Sequence, residues 1–199
     1  LRGKRDPGAR LILHVLLVSL PAFAIVFVLR EVLAVAIAQP IYVAVLLVAF
    51  AVVLYVADQA GLTVRRLGQM KTGQAVVVGL FQGLAALPGV SRVGIAVTVA
   101  RVLGYEREDA ARFALLLTIP WMAVSGLYRV YVGLAAREAV DAEAALLTAA
   151  GAGVTALIAA AFLMYWLRRG GFALFAVYRV MLGGALIYAL MSMAPAACA

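Results

Sequence analysis

GQAVVVGLFQGLAALPGVSRVGIAVTVARVL, residues Gly73 to Leu103, decides how the chain is folded. The stretch is apolar enough to leave water, yet Gly79, Gly83, Pro88, Gly89 and Gly94 interrupt it, and Arg92 sits far from either polar flank. Glycine and proline free backbone groups that lipid cannot satisfy. Such a break is tolerated only where protein packs around it or where it lines a wet cavity. The stretch therefore reads as two half-helices joined at Pro88 to Arg92, a re-entrant helical hairpin over 73–104, and not as one straight crossing.

The sequence on either side supplies the spans. Of the 199 residues 67% are hydrophobic and 13% charged, about half the roughly 25% charged fraction of a soluble domain. Whole 20-residue stretches carry no charge, so the bilayer is the natural solvent. Two spans fall within 11–57, at about 11–29 and 41–57. Three more fall within 110–193, at about 110–134, 144–167 and 172–193. Pro21 and Pro120 are expected to bend their helices without ending them. The expected fold is all-α: one integral membrane domain over 1–199, a polytopic helical bundle of five transmembrane helices plus one re-entrant hairpin.

Charge sets the orientation. With the hairpin returning to its own face, the basic groups at 1–10, 58–72, 101–112 and 168–169 all fall on one side. The links at 30–40 and 135–143 have no positive excess. The positive-inside rule then places the N-terminal end in the cytoplasm and the C-terminus outside. The net charge of +8 is thus a matter of topology. Without a continuous basic face interleaved with aromatics, nucleic acid is not an expected partner. Cys198 stands alone, which excludes an intramolecular disulfide and a cysteine-rich metal site. The chain opens on Leu1 and a polar stretch without a signal-peptide pattern, so it is expected to begin inside a longer gene.

Arg92 is the residue that needs an explanation. Placing a permanent cation at that depth costs roughly 2.5–3.5 kcal/mol on insertion scales. One reading is structural, an arginine bonded to helix-end carbonyls. The other is an anion site. The guanidinium fork, the Ser91 hydroxyl and the N–H groups opening a half-helix would aim donors at one place, and Gly89 and Gly94 would let backbone approach the ligand. Gln82 either donates to the same pocket or bonds a neighbouring helix. Arg129 and Arg179 lie inside spans, as phosphate partners, as snorkelling side chains or as helix-to-helix bonds. His14, one turn into the first span, reads as interfacial packing. All nine acids, from Asp6 to Glu143, fall in flanks or links. No base for activating serine or water, and no metal site, can be assembled beside Ser91.

Gln82 to Arg92, QGLAALPGVSR, resembles the second signature of the undecaprenyl-diphosphate phosphatase (bacitracin-resistance) family. Gly104 to Pro120, GYEREDAARFALLLTIP, and Phe175 to Gly183, FAVYRVMLG, are similar to two further segments of that family, in the same order and spacing. The likeness runs from Leu11 onward. It implies an inverted-repeat fold with a re-entrant hairpin in each repeat. It also implies hydrolysis of the lipid diphosphate carrier of cell-wall synthesis to the monophosphate, in the bacterial inner membrane. Ser91 and Arg92 match the residues that bind and act on the diphosphate, while Gly89 and Gly94 shape the loop. The family pattern has a serine after the arginine and a threonine three positions further on. This sequence has Val93 and Ala96 there, and Thr98 would replace the threonine after a shift.

The family's first signature, with its glutamates and histidine, is absent from this chain. The resemblance therefore implies that a divalent cation, Mg or Ca, would be bound through residues not in this chain. Polyprenyl diphosphate and the membrane are the implied partners, and a homodimer stays open. The alternative is a non-catalytic polyprenyl-phosphate binding protein or transporter, since transporters also use inverted repeats and broken helices.

Overall fold

The computed structural model describes residues 7–33, 39–135 and 142–193. The described residues are helical almost throughout, as α1 (Pro7–Leu33), α2 (Pro40–Ala60), α3 (Thr72–Phe81), α4 (Arg92–Val102), α5 (Arg107–Ala135), α6 (Ala142–Leu167) and α7 (Ala173–Met193). Short 3-10 turns at Leu67–Gln69 and Gln82–Ala86 precede and follow α3. Five helices contain stretches long and apolar enough to cross a membrane, at Gly8–Val26, Pro40–Ala60, Arg107–Ala135, Glu143–Leu167 and Ala173–Ser192. Together with the outward-facing leucines, valines and tyrosines that stud them, they make this a multi-pass membrane protein.

α3 and α4 are different. With 10 and 11 residues each rises only about 15 Å, half of a roughly 30 Å hydrocarbon core. Their outer ends meet: the Tyr105 hydroxyl donates to Oε1 of Gln74 at 2.7 Å. Beside them Arg65 N–H donates to the Gly104 carbonyl at 3.0 Å, and Glu106 N–H to the Arg65 carbonyl at 3.0 Å. The outer ends of α3 and α4 are thus joined, and the turn at Pro88 and Gly89 lies at their other end. Burial pushes the Tyr105 phenol above its usual pKa, which keeps it a neutral donor in this clasp.

α1, α2 and α5 enclose this hairpin, and α7 lies along α2. The core is fine-grained. Ala75, Val78, Ala96, Val97, Ala100, Ala110, Ala111, Phe113, Ala114 and Leu117 are buried together with Val18 and Leu54. Buried alanines let backbones approach, which is how helices associate where lipid offers no hydrophobic drive. Gly79 takes this furthest, since a Cβ there would run into Val18 of α1. α6 packs on α5 and presents the rest of its surface outward.

The basic ends gather at one end of the bundle. α2 continues through Asp58 to Ala60, so Asp58 belongs to a buried last turn and not to the polar loop expected at 58–72. The reason is its set of partners. Asp58 Oδ1 accepts from Arg101 Nε at 3.1 Å and from Arg107 Nε at 2.8 Å, and Oδ2 accepts from Phe172 N–H at 3.2 Å. Arg101, 1% exposed, also donates to the carbonyls of Asp58, Gly61 and Tyr105. Beside this knot His14 Nε2 lies 3.1 Å from Thr72 Oγ1, Arg66 pairs with Glu106, and Arg168 reaches Glu108. The flank at 1–6 and the links at 34–38 and 136–141 lie outside the described residues, as does Cys198.

Removing one member of a buried, hydrogen-bonded pair leaves an uncompensated charge, at about 3–5 kcal/mol. Asp58→Asn is therefore expected to lower Tm by roughly 10 °C in a thermal-unfolding measurement in detergent. An unchanged Tm would show that the knot contributes no stability.

Candidate functional site

The far end of the hairpin is built by a short run of local rules. Leu87 precedes a proline and is extended (φ −72°, ψ 125°), as steric conflict with the ring demands. Pro88 and Gly89 then turn the chain, with Val90 N–H donating to the Leu87 carbonyl at 3.2 Å. Gly89 has φ 91°, the left-handed value that the third position of a type II turn requires. A Cβ at Gly89 would also strike the Val43 carbonyl of α2. Ser91 is the N-cap of α4, its hydroxyl oxygen accepting from Gly94 N–H at 3.0 Å. The hydroxyl hydrogen is left free to donate outward. Arg92 is the first helical residue, beside the positive end of the helix dipole.

Two arginines bracket this N-terminus. Arg92 lies over the Trp121 ring of α5, 3.2 Å from its centroid, and Trp121 stacks on Phe23 of α1 at 4.7 Å. A desolvated cation–π contact supplies about 2 kcal/mol, most of the roughly 2.5–3.5 kcal/mol cost of placing the charge there. It leaves the donors unused, and Arg92 Nη1 is buried without a hydrogen-bond partner. On the other side Arg179 of α7 donates from Nη2 to the Gly89 carbonyl at 2.6 Å, while its Nε is also buried without a partner. A Cβ on Gly94 would come within 3.1 Å of Arg179 Nη1 and 3.0 Å of Ser91 Cβ. Glycine at position 94 thus leaves room for the second guanidinium.

Gln82, 2% exposed at the close of α3, has a third orphan donor, Nε2. Gln82, Arg92 and Arg179 are the three residues with a buried side-chain polar atom lacking a hydrogen-bond partner among the described residues. All three lie on the hairpin's inner half or on the helix tied to its turn. Orphaned buried donors each cost about 1–3 kcal/mol, and guanidinium forks at a helix N-terminus match an anion with several acceptor oxygens.

The other residues singled out from the sequence are placed as follows. Gly89 and Gly94 shape the turn and the arginine seat. Thr98 is one turn further along α4, its hydroxyl donating to the Gly94 carbonyl at 2.8 Å. Arg129 lies on the exposed outer part of α5. Arg179, left open between three roles in the sequence, is a helix-to-loop tie with spare donors. Trp121 was not singled out at all. Its only sequence signal was an aromatic placed directly after Pro120 in a span.

A family model, Bacitracin resistance protein BacA, matches residues 1–185. The chain belongs to this family. Undecaprenyl-diphosphatase 1 of Rhodospirillum rubrum is 46% identical over 193 residues, covering 94% of this chain and 67% of that protein. Undecaprenyl-diphosphatase 1 of Paramagnetospirillum magneticum is 38% identical, covering 94% of the chain and 69% of that protein. Undecaprenyl-diphosphatase of Desulforudis audaxviator is 34% identical, covering 92% and 69%. The chain therefore spans a little over two thirds of the length of these relatives.

Gly94→Ala tests the arginine seat. The added methyl pushes Arg179 away, so affinity for inorganic pyrophosphate, measured by isothermal titration in detergent, is expected to fall roughly tenfold. Tm should stay close to that of the parent. Unchanged affinity would remove Arg179 from the site.

Proposed function

We propose that this protein hydrolyses undecaprenyl diphosphate to undecaprenyl phosphate, with the diphosphate held at the N-terminus of α4. The observation that carries this reading is the set of orphaned donors on Gln82, Arg92 and Arg179 around the Ser91 cap. It is supported by membership of a family whose relatives are named undecaprenyl-diphosphatases. The protein sits in the bacterial inner membrane with its basic end in the cytoplasm, and 73–104 is a re-entrant hairpin entering from that face. It forms part of an inverted-repeat fold.

Phosphoryl transfer asks a protein mainly for positioning and for neutralising charge on the phosphoryl oxygens. Arg92 supplies a fork held flat by Trp121, and Arg179 a second fork from α7. Ser91 contributes a hydroxyl donor next to the positive end of α4. Asp58, Glu106, Glu108 and Asp109 are engaged with groups at the basic end, and His14 with Thr72. This chain's part is thus to bind and stabilise. Among the described residues no three His, Cys, Asp or Glu are grouped to hold a divalent cation.

Arg92→Ala is expected to lower phosphate release from undecaprenyl diphosphate in micelles at least about 100-fold. Arg92→Lys should recover little of it, because an ammonium cannot reproduce the fork or its seat on Trp121. Parental rates in the alanine variant would sink this reading.

A further inference from the structure

Beside the turn a groove of about 250 Å³ runs down the α4 side that faces away from Trp121. Leu54 of α2, Val93 and Val97 of α4, Leu163 of α6, Phe172 just before α7 and Phe175 of α7 form its apolar walls. Ser91, Gly94 and Arg179 close its upper end. From Arg179 back to Phe172 is two turns of α7, about 10 Å. The upper end therefore offers a hydroxyl and a cation with a spare buried N–H, and the rest offers only hydrocarbon. A cavity of this size is smaller than the roughly 300–1,000 Å³ that encloses a whole drug-sized ligand. Tyr178 on its rim is exposed, so the groove opens sideways toward lipid.

We infer that this groove seats the first isoprene units of the polyprenyl chain whose diphosphate is held at Ser91 and Arg179. This inference rests on the proposed reaction for the identity of the head group. The match is one of order along a single molecule, with the anionic head against donors and the hydrocarbon directly continuous with it. The remaining length of tail leaves by the groove's open side into the bilayer. Val93 has a task here. It supplies an apolar wall of the groove directly after Arg92. Phe172 and Phe175, with ring centroids 6.4 Å apart and tilted by 52°, present ring faces and edges to a branched, unsaturated chain.

The test uses a farnesyl diphosphate analogue with a terminal diazirine, photolysed with the protein in micelles and mapped by peptide mass spectrometry. Cross-links are expected on 93–97 of α4 and on 172–178 at the start of α7. Leu163→Trp, which fills the groove from α6, should cut them and raise KM for farnesyl diphosphate, each roughly tenfold. Competition by inorganic pyrophosphate should not change. Val93→Phe fills the same space from α4 and should behave alike if Leu163→Trp fails to fold. Cross-links confined to the outward faces of α5 and α6, or equal competition by phosphatidic acid, would overturn the inference. Groove labelling without any phosphate release would uphold the groove and sink the proposed reaction. Phosphate release with labelling elsewhere would do the reverse.

Discussion

The Asp58 carboxylate is the constraint on which the rest depends. It closes the end of α2, receives Arg101 from the end of α4 and Arg107 from the start of α5, and caps the approach to α7 through Phe172 N–H. Two helices of ten or so residues cannot cross a bilayer or stabilise themselves, because isolated helices that short are marginal. They persist because their outer ends are fixed, α4 by Arg101 in the Asp58 knot and α3 by the Gln74–Tyr105 clasp. A charge pair buried this deeply is weak evidence for net stability in general. Here the three donors on Asp58, from Arg101, Arg107 and Phe172, are what bring the ends of α2, α4, α5 and α7 to one level.

Fixing the outer ends of the hairpin leaves its turn free to be unsatisfied. Gln82, Arg92 and Arg179 hold donors that no group of the described chain accepts. At about 1–3 kcal/mol each, they are a debt that folding alone does not recover and that a bound anion would. The same asymmetry separates the two ends of α4. At one end an arginine has almost every donor engaged. At the other, Arg92 is held by a ring face that uses none of its hydrogens. Packing a guanidinium against Trp121 fixes its orientation while keeping the fork available, which a carboxylate partner would not do.

Much of this was legible in the sequence. Five spans, a broken segment at 73–103 and basic ends on one side follow from hydropathy, from glycine and proline, and from the placement of arginines. Pro88-Gly89 followed by Ser91 spells a turn and a helix cap in local terms, and both are found. What pattern could not give was pairing. Asp58 looks like a loop acid beside Thr63 and Arg65 until its partners 43, 49 and 114 residues away are known. Arg179 and Arg129 are indistinguishable as arginines inside spans. Only tertiary packing puts one against Gly89, 90 residues distant, and leaves the other exposed. Trp121 was invisible for the same reason, since an aromatic in a membrane helix is ordinary until a cation is found on its face.

On the proposed reading, the two sides of α4 also divide the labour of recognising an amphiphile. Arg92 and Gly94 are two residues apart, so successive 100° steps carry them to different faces of the helix. The α5 face holds a rigid cation on stacked aromatics, suited to a group that must be oriented. The α7 face is a shallow hydrocarbon trough that ends at a serine and a second arginine. A soluble diphosphate would find donors at the turn but nothing to fill the trough, and a neutral lipid would fill the trough but leave the donors orphaned. Only a molecule with a multiply charged head joined directly to a hydrocarbon chain satisfies both faces at once. On the proposed reading, selectivity on this scaffold comes from one short helix whose first turn is shared between two unlike walls.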